Sequence, residues 1–346
     1  MIPTFATNYS LTWLERNPSS FIVPILLTPI FVTGFVGNLW LIMMIIRGLA
    51  PQTSSNIYTL SLAFGDLIVF LSVFPFMMTL FPIASGPLGV YICKISEFLR
   101  DLSVNITALT LIAMSVDRYF AVLSAVNWMR RQGTLRHKFL SFSIVCLIWI
   151  LSSLLAIPTV LGARVEWVSP TATSIPPSQL SKDLYSVDER MPICYPYPER
   201  FLGTYHPKLI VVIKFICLFL VPIGVSGFCN MVVARKLIVN VKSKLCFRKT
   251  QQDRALRKAQ FTARVAFLFV TMFLFCFLPH HLFSLWFYIS PPTNDFYTMF
   301  YQTSRIIAFV CAFLNSALNP IIICSTSHHL KKYVGNKMPF VRFFFV

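Results

Sequence analysis

The sequence predicts an all-α membrane protein, a bundle of seven transmembrane helices followed by a short amphipathic helix. Three observations support this prediction. Of the 346 residues, 56% are hydrophobic and 12% are charged, whereas soluble domains carry roughly 25% charged residues. The mean hydropathy of +0.70 excludes intrinsic disorder and a water-soluble single core. Finally, the basic residues are unevenly distributed among the segments that separate the apolar runs.

Seven apolar runs are long enough to cross a bilayer, whose core of about 30 Å needs roughly 20 helical residues. We predict spans at about 22–46, 57–82, 95–123, 138–161, 209–234, 262–288 and 305–324. The first run lacks the basic stretch and the cleavage site of a signal peptide, so we expect it to be retained. A transmembrane domain at 22–324 then lies between an N-terminal segment, 1–21, and a tail, 325–346. The amphipathic helix is predicted near 326–336.

The charge distribution predicts how the spans are oriented. With the N-terminus outside, the inner segments contain 19 basic residues against one acid, Asp253, whereas the outer segments contain seven of each. Because basic residues accumulate on the cytoplasmic side, we expect 1–21 and the loop 162–208 to be extracellular. The loop 235–261 and the tail would be cytoplasmic. The balanced outer half argues against a nucleic-acid partner, and Asn8, in Asn-Tyr-Ser, is a predicted glycosylation site.

Two of the nine cysteines, Cys93 and Cys194, fall on the predicted outer side. Cys93 begins span three, and Cys194 lies in the loop 162–208. This side is oxidising and no other cysteine is placed there, so we predict a disulfide between the two. It would hold the loop over the mouth of the bundle, where 164–168 and 191–197 are predicted to form the arms of a hairpin.

Polar and ionisable side chains inside the spans are costly in lipid and therefore mark candidate functional sites. They form three layers. At the inner end of span three lies Asp117-Arg118-Tyr119, where Arg118 would pair with Asp117 in one state and meet a partner in another. At mid-membrane a carboxylate is ringed by amides and hydroxyls, which suits a monovalent cation or a shared proton. This set comprises Asp66, Asn38, Asn315, Ser316 and Asn319, with Thr107 as a further candidate.

The outermost layer carries both signs of charge. It consists of Glu97, Arg100, Asp101, Lys214, His280, His281 and Arg305. The three residues of span three occupy about one helical turn, so they cannot all face lipid. They form internal salt bridges or line a pocket, and a mixed-charge pocket suits a peptide better than a lipid or a biogenic amine. Five spans also contain a proline that would bend them, namely Pro75, Pro158, Pro222, Pro279 and Pro320.

Other membrane functions fit the sequence less well. A retinal protein needs a lysine in span seven, and none occurs between Arg305 and Lys331. A transporter would be expected to show an internal repeat, which is not seen between the two halves of the chain. His280 and His281 are adjacent and not one turn apart, so they do not share a helix face for a metal. We therefore expect no enzymatic activity.

Short motifs occur in order along the spans. They are Gly37-Asn38, Leu62-Ala63-Phe64-Gly65-Asp66, Asp117-Arg118-Tyr119, Trp149, Pro222, Phe273 with Cys276-Phe277-Leu278-Pro279, and Asn319-Pro320. Through them the chain resembles the rhodopsin-class (class A) G-protein-coupled receptors over about 20–335. Cys93 to Asp101, running on to Tyr119, resembles the bombesin-receptor-like group. Cys276 to Tyr288, with Arg305-Ile306-Ile307 and Phe313 to Ser316, is most similar to arthropod CCHamide-type neuropeptide receptors.

The resemblance implies a plasma-membrane receptor that passes binding of a short amidated peptide to a heterotrimeric G protein of the calcium-mobilising class. Arrestin would be a further partner, and an allosteric sodium ion the one expected cofactor. The implied sodium site is Asp66, Asn315, Ser316 and Asn319. The implied transmission residues are Asp117, Arg118, Tyr119, Phe277, Pro279, Asn319 and Pro320. Asn230 and Ile323 replace tyrosines that the family commonly has, so the alternative is a weakly signalling receptor or a same-fold receptor for another ligand class.

Overall fold

The computed structural model describes residues 19–48, 55–80, 89–123, 135–168, 191–198, 203, 205–243, 251–290 and 299–326. Within these residues, seven helices are long and apolar enough to cross a membrane. They confirm the seven predicted spans and the all-α class. Asn8, the rest of the N-terminal segment up to residue 18 and the predicted amphipathic helix beyond Thr326 lie outside the described residues.

Among the described residues, four helices precede a small sheet and three follow it. The helices are α1 (Ser19–Ile46), α2 (Ser55–Leu80), α3 (Gly89–Leu123), α4 (Leu135–Gly162), α5, α6 (Gln251–Ile289) and α7 (Met299–Thr326). Helix α5 has three consecutive parts, Tyr205–Phe215, a π-helical turn at Ile216–Leu220, and Val221–Ser243. The strands β1 (Arg164–Val168) and β2 (Met191–Tyr195) pair antiparallel with Val165 opposite Cys194. This pairing confirms the predicted hairpin.

Two features of the helices were not predicted. Helix α5 begins at Tyr205 and α6 at Gln251, several residues before the apolar runs on which the spans were placed, because a helix continues through polar residues that hydropathy excludes. The π-helical turn of α5 lies directly before Pro222. Proline has no N–H to donate to the preceding turn, and a widened turn is one way for a helix to accommodate that loss.

The seven described helices pack as one bundle, with α3 near its centre. Helix α1 packs on α2 and α7, α6 packs on α5 and α7, and α3 contacts α2, α4, α5 and α6. The largest buried apolar cluster lies between α3, α5 and α6, where the rings of Phe219 and Phe273 are 6.1 Å apart and those of Phe273 and Phe277 are 4.9 Å apart. Many large apolar side chains of α4 and α5 face outward, as expected if lipid is their solvent.

Glycine and polar contacts fix how the helices approach one another. At Gly34 of α1, an added Cβ would overlap the ring of Phe70 in α2 and lie 3.2 Å from the Cα of Ala317 in α7. The Trp149 indole N–H donates to Ser61 Oγ at 2.9 Å, joining α4 to α2. These contacts hold the frame on which the polar layers are displayed.

Candidate functional site

A cavity of about 120 Å³ opens into the bundle at the end where α3 begins. Its walls come from α3, α5, α6, α7 and the residues that follow β2. All seven residues of the predicted outermost layer line it, namely Glu97, Arg100, Asp101, Lys214, His280, His281 and Arg305. The structure therefore brings this layer together around one space. That the space binds a ligand stays a prediction.

The predicted disulfide between Cys93 and Cys194 is confirmed. It ties β2 to the first turns of α3, and Cys194 itself lines the cavity. Pro196 and Tyr197, which follow β2, continue into the cavity wall. The hairpin is thus held across this end of the bundle, which we call the cavity end, opposite the Arg118 end.

Two ion pairs lie in the cavity wall. Arg100 pairs with Glu97 one turn away within α3, and Lys214 of α5 pairs with Asp101 of α3. The sequence left open whether these charges pair internally or line a pocket. Both alternatives are true, because the four residues of the ion pairs also line the cavity.

The second ion pair belongs to a larger polar network. Asp101 Oδ2 accepts hydrogen bonds from Lys214 Nζ, Thr159 Oγ1 and, at 3.1 Å, the Tyr197 hydroxyl. Lys214 Nζ also donates to Thr159 Oγ1 at 3.1 Å and to the Tyr197 oxygen. Burial, and next the nearby charge of Asp101, raise the pKa of Tyr197 well above its usual value. Its hydroxyl therefore remains protonated and serves as a donor to Asp101.

The lining charges sum to a small positive excess. Three basic side chains, from Arg100, Lys214 and Arg305, face two carboxylates, and the guanidinium carbons of Arg100 and Arg305 lie 5.6 and 5.9 Å from the centre of the Phe309 ring. Such distances are those of cation–π contacts. Phe309 thus holds two guanidinium groups beside the same space.

The two adjacent histidines of α6 both reach the cavity. The His281 ring lies 4.8 Å from that of Phe219 and 5.9 Å from that of Phe215. Its buried Nε2 makes no hydrogen bond among the described residues.

A second chamber of about 50 Å³ adjoins the cavity. It is lined by buried Phe277, which lies one turn before the histidines in α6. It shares Asp101 and Lys214 with the cavity and extends to Ser316. The cavity therefore approaches the mid-membrane polar layer.

That layer is assembled around a fully buried carboxylate. Asn319 Nδ2 donates to Asp66 Oδ2 at 2.8 Å, and the Ser316 hydroxyl also approaches this carboxylate. Asn38 Nδ2 donates to the carbonyls of Gly34 and Ser316, both at 2.9 Å. Buried Asn315 is the remaining predicted member. Thr107 Oγ1 instead donates to the Ser103 carbonyl of its own helix.

The donor set fits a single monovalent cation. Asp66 Oδ1 and Asn38 Oδ1 are buried and make no hydrogen bond among the described residues, and hard cations prefer carboxylate and carbonyl oxygens. No three His, Cys, Asp or Glu side chains of the described part of the chain come together as metal ligands. One carboxylate with neutral oxygens is suited to a single positive charge.

At the Arg118 end, the predicted transmission residues lie among packed helices. Arg118 is 5% exposed and lies beside the carboxylate of Asp117. The Tyr119 ring lies 6.4 Å from that of Phe228 in α5. Pro279 lies within α6, and Pro320 is buried in α7 beside Asn319. Their roles in transmission stay predictions.

Sequence reasoning did not identify Tyr197 or Phe309, which line the cavity, or Thr159, which hydrogen-bonds Asp101. Tyr197 follows Cys194 by three residues, so the predicted disulfide would have placed it near the start of α3. That signal could have been used. Thr159 and Phe309 stand in apolar runs that give no comparable signal.

Comparison with known proteins identifies the family. A family model described as "7 transmembrane receptor (rhodopsin family)" matches residues 37–323. The neuropeptide CCHamide-1 receptor of Drosophila melanogaster is 32% identical over 92% of this chain and 60% of its own length. Galanin receptor type 1 of Mus musculus is 28% identical over 90% of this chain and 80% of its own length. Galanin receptor type 2 of Homo sapiens is 27% identical over 91% of this chain and 72% of its own length.

The chain spans about three fifths of the length of the CCHamide-1 receptor that it matches. The family match covers the last ten residues of α1, all of α2 to α6, and α7 up to residue 323. With the bundle of seven described helices, the disulfide-bonded hairpin and the ordered motifs, this match confirms the family that the sequence resembles. The chain belongs to the rhodopsin family of seven-transmembrane receptors, the class A G-protein-coupled receptors.

Proposed function

We propose that this chain is a neuropeptide receptor of the plasma membrane, with its N-terminus outside, that passes peptide binding to a heterotrimeric G protein. One observation carries the proposal, the mixed-charge cavity beneath a disulfide-bonded hairpin at the opposite end of the bundle from Arg118. A relative with 32% identity is by its name a receptor for a neuropeptide.

The charges of the cavity favour a peptide over a biogenic amine. Both lining carboxylates, Glu97 and Asp101, already pair with cations, so neither offers an uncompensated negative charge to a ligand ammonium group. A peptide presents backbone donors and acceptors together. The guanidinium groups of Arg100 and Arg305 are donors for its carbonyl oxygens, and the rings of Phe283, Phe287 and Tyr288 offer apolar contact.

The signal would travel along the helices by a shift between two conformations. Phe277 lies one helical turn from the cavity-lining histidines, on the side toward Arg118. Its ring packs against that of Phe273, which in turn packs against that of Phe219. Pro279 interrupts the backbone hydrogen bonding of α6 beside this cluster. A peptide that binds the rearranged bundle more tightly would shift the equilibrium by that difference in affinity. Movement of α5 and α6 would then uncover Arg118 to the G protein, and arrestin would use the same face.

The basic residues of the predicted inner segments fit this arrangement. They would face the cytosol, where a G protein binds, while the hairpin and the cavity would face outside. We also propose that Asp66, Asn315, Ser316 and Asn319 hold a sodium ion, which would supply a positive charge to the buried carboxylate of Asp66. The unpaired Oδ1 atoms of Asp66 and Asn38 support this assignment.

The test is intracellular calcium in transfected cells that are exposed to a panel of amidated neuropeptides. We expect one member to evoke a response, and Arg118→Ala to reduce it at least tenfold while peptide binding at the cell surface persists. Arg47→Ala removes an exposed arginine at the same end of the bundle and should leave the response intact. Equal responses from Arg118→Ala and the unmodified receptor at equal surface expression would contradict the proposed role of Arg118. Silence toward the whole panel would contradict the peptide assignment.

A further inference from the structure

The two ion pairs in the cavity wall differ in what they connect. Glu97 and Arg100 belong to the same helix, one turn apart, so their pairing cannot hold one helix against another. Asp101 and Lys214 belong to α3 and α5. Their attraction therefore acts between two helices, and its loss would remove a restraint on how α5 lies against α3.

The network around this second pair is closed. An ammonium group has three donors, and all three hydrogens of Lys214 are used, toward Asp101, Thr159 and Tyr197. The hydroxyls of Thr159 and Tyr197 each have one hydrogen, and both donate it to Asp101 Oδ2. The two hydroxyl oxygens are 3.2 Å apart, but no hydrogen is left to form a hydrogen bond between them.

The same four residues connect most of the cavity end. Asp101 lies in α3, Thr159 in α4 and Lys214 in α5, while Tyr197 follows the strand that carries the disulfide. The Tyr197 ring also lies 4.9 Å from Lys214 Nζ and 5.6 Å from the ring of Tyr288 in α6. One cluster thus joins three helices to the hairpin and touches a fourth helix. We call Asp101, Thr159, Tyr197 and Lys214 the clamp.

Lys214 also occupies a special position in α5. It lies two residues before the π-helical turn Ile216–Leu220, in the separate part Tyr205–Phe215. A π-helical turn breaks the regular hydrogen-bonding ladder of a helix and often marks a functional position. The part of α5 that carries Lys214 therefore meets the rest of the helix at an irregular joint, and the clamp is what attaches that part to α3.

We propose that the clamp is an inhibitory contact that holds the cavity-end part of α5 against α3 and favours the conformation in which Arg118 is covered. The closed clamp and the covered Arg118, 5% exposed, occur together in one conformation. This inference rests on the proposed function, because it assigns the regulation of the same cavity. A ligand in that cavity lies against Asp101 and Lys214, and by binding these groups separately it would release α5.

The charge at position 214 is the variable to test. Lys214→Met keeps a long unbranched side chain but removes the charge, whereas Lys214→Arg keeps the charge and can pair with a carboxylate. Without any ligand, we expect Lys214→Met to raise signalling about fivefold, the lower end of usual allosteric couplings. Lys214→Arg should raise it less than Lys214→Met does, because the positive charge beside Asp101 is kept. Tyr197→Phe, which removes only the hydroxyl, should raise signalling by a smaller factor, about twofold.

Two further variants separate the clamp from general destabilisation. Lys214→Met leaves Asp101 buried without its cation, which can impair folding. The double variant Asp101→Asn with Lys214→Met removes both charges and should signal no more than Lys214→Met alone, because both changes break one contact. Ser61→Ala removes the interhelical hydrogen bond with Trp149, which does not involve α5, and should leave ligand-free signalling unchanged.

A second measurement reports the conformation without a peptide or a G protein. The full-length receptor is purified into lipid nanodiscs, with Cys146, Cys217 and Cys246 changed to serine and an environment-sensitive fluorophore on Arg264→Cys. Arg264 is an exposed residue of α6 in the Arg118-end half of that helix. We expect the label emission to change more on adding Lys214→Met than on adding Lys214→Arg. The same receptor with the three serine changes but with Arg264 kept is labelled in parallel, and its emission is subtracted to correct for labelling of other cysteines.

The outcomes distinguish the clamp from the proposed function. Equal ligand-free signalling and equal label emission from Lys214→Met and Lys214→Arg would overturn the clamp, even if peptides still evoke calcium. Lower ligand-free signalling from Lys214→Met would also overturn it, since the pair would then favour the signalling conformation. If the label responds to the charge at 214 while no peptide and no variant gives a cellular signal, the clamp stands as a restraint and the proposed coupling fails.

Discussion

At the scale of single residues, the structure separates side chains whose charge is already compensated from those whose charge is not. Asp101 receives three hydrogen bonds at one oxygen, whereas Asp66 is fully buried and one of its oxygens makes no hydrogen bond among the described residues. A buried carboxylate that is not fully hydrogen-bonded is costly. A cation or a proton at Asp66 would reduce this cost.

This difference predicts how sodium acts on the receptor. Replacing sodium chloride with N-methylglucamine chloride should change the affinity of a bound radiolabelled peptide in the unmodified receptor, because a cation at Asp66 stabilises one conformation over the other. Asp66→Asn removes the negative charge and should abolish the difference between the two salts. A sodium effect of the same size in Asp66→Asn would contradict the site, and an equal response to both salts in the unmodified receptor would contradict it as well.

At the scale of the helices, α1, α2 and α7 meet at a position without a side chain. Phe70 is completely buried there, with its ring 5.9 Å from that of Phe31 and 6.4 Å from that of Phe313. A methyl group on Gly34 would overlap the Phe70 ring. Because the ring is enclosed on its other sides, it cannot move away without displacing its neighbours, and well-packed interiors resist such insertions.

Gly34→Ala should therefore destabilise the receptor by about 1–3 kcal/mol and lower its midpoint of thermal unfolding in detergent micelles. The matched control is Gly224→Ala in α5, where an added Cβ meets nothing within 4 Å. Alanine is the better helix former by about 1 kcal/mol, so this control should keep or raise the midpoint. Equal midpoints for the two variants would show that the helices at Gly34 are not packed as described.

The helices were predictable from the sequence to the extent that their cause is local. An apolar run of about 20 residues is visible in the sequence, and all seven spans follow from it. The close approach at Gly34 depends on neighbouring helices, so composition gives no sign of it. Pro222 marks an irregular place in α5, but the proline alone does not say that the irregularity is a π-helical turn. The disulfide was predictable because only Cys93 and Cys194 fall on the predicted outer side.

The candidate site was predictable in its charged members and not in its neutral ones. Ionisable residues such as Glu97 and Lys214 are rare in spans, so each attracts attention. Thr159 and Phe309 are ordinary in an apolar run, and only the fold brings them to Asp101 and Arg305. Which of the charged residues pair with each other also depends on the fold, since Lys214 lies 113 residues from Asp101 in the chain.

At the scale of the whole molecule, the uneven distribution of basic residues predicts the orientation in the membrane. An epitope tag at the N-terminus should bind antibody on intact cells, because the adjacent outer segments carry no excess of positive charge. A tag inserted in the loop 235–261 should bind antibody only after permeabilisation. Asn8→Gln should increase electrophoretic mobility to that of the deglycosylated receptor. The reverse pattern of antibody access would contradict the orientation and place the cavity in the cytosol.

The disulfide also constrains the order in which the molecule is completed. Cys93 and Cys194 are 101 residues apart, so their bond closes a covalent ring that contains most of α3, the whole of α4 and the hairpin. This ring requires no residue after Cys194, and α5, α6 and α7 all come later in the chain. During synthesis, oxidation is therefore chemically independent of the last three helices. The covalent ring can therefore close before those helices exist, and Tyr197, three residues beyond it, is in contact with Lys214 of α5.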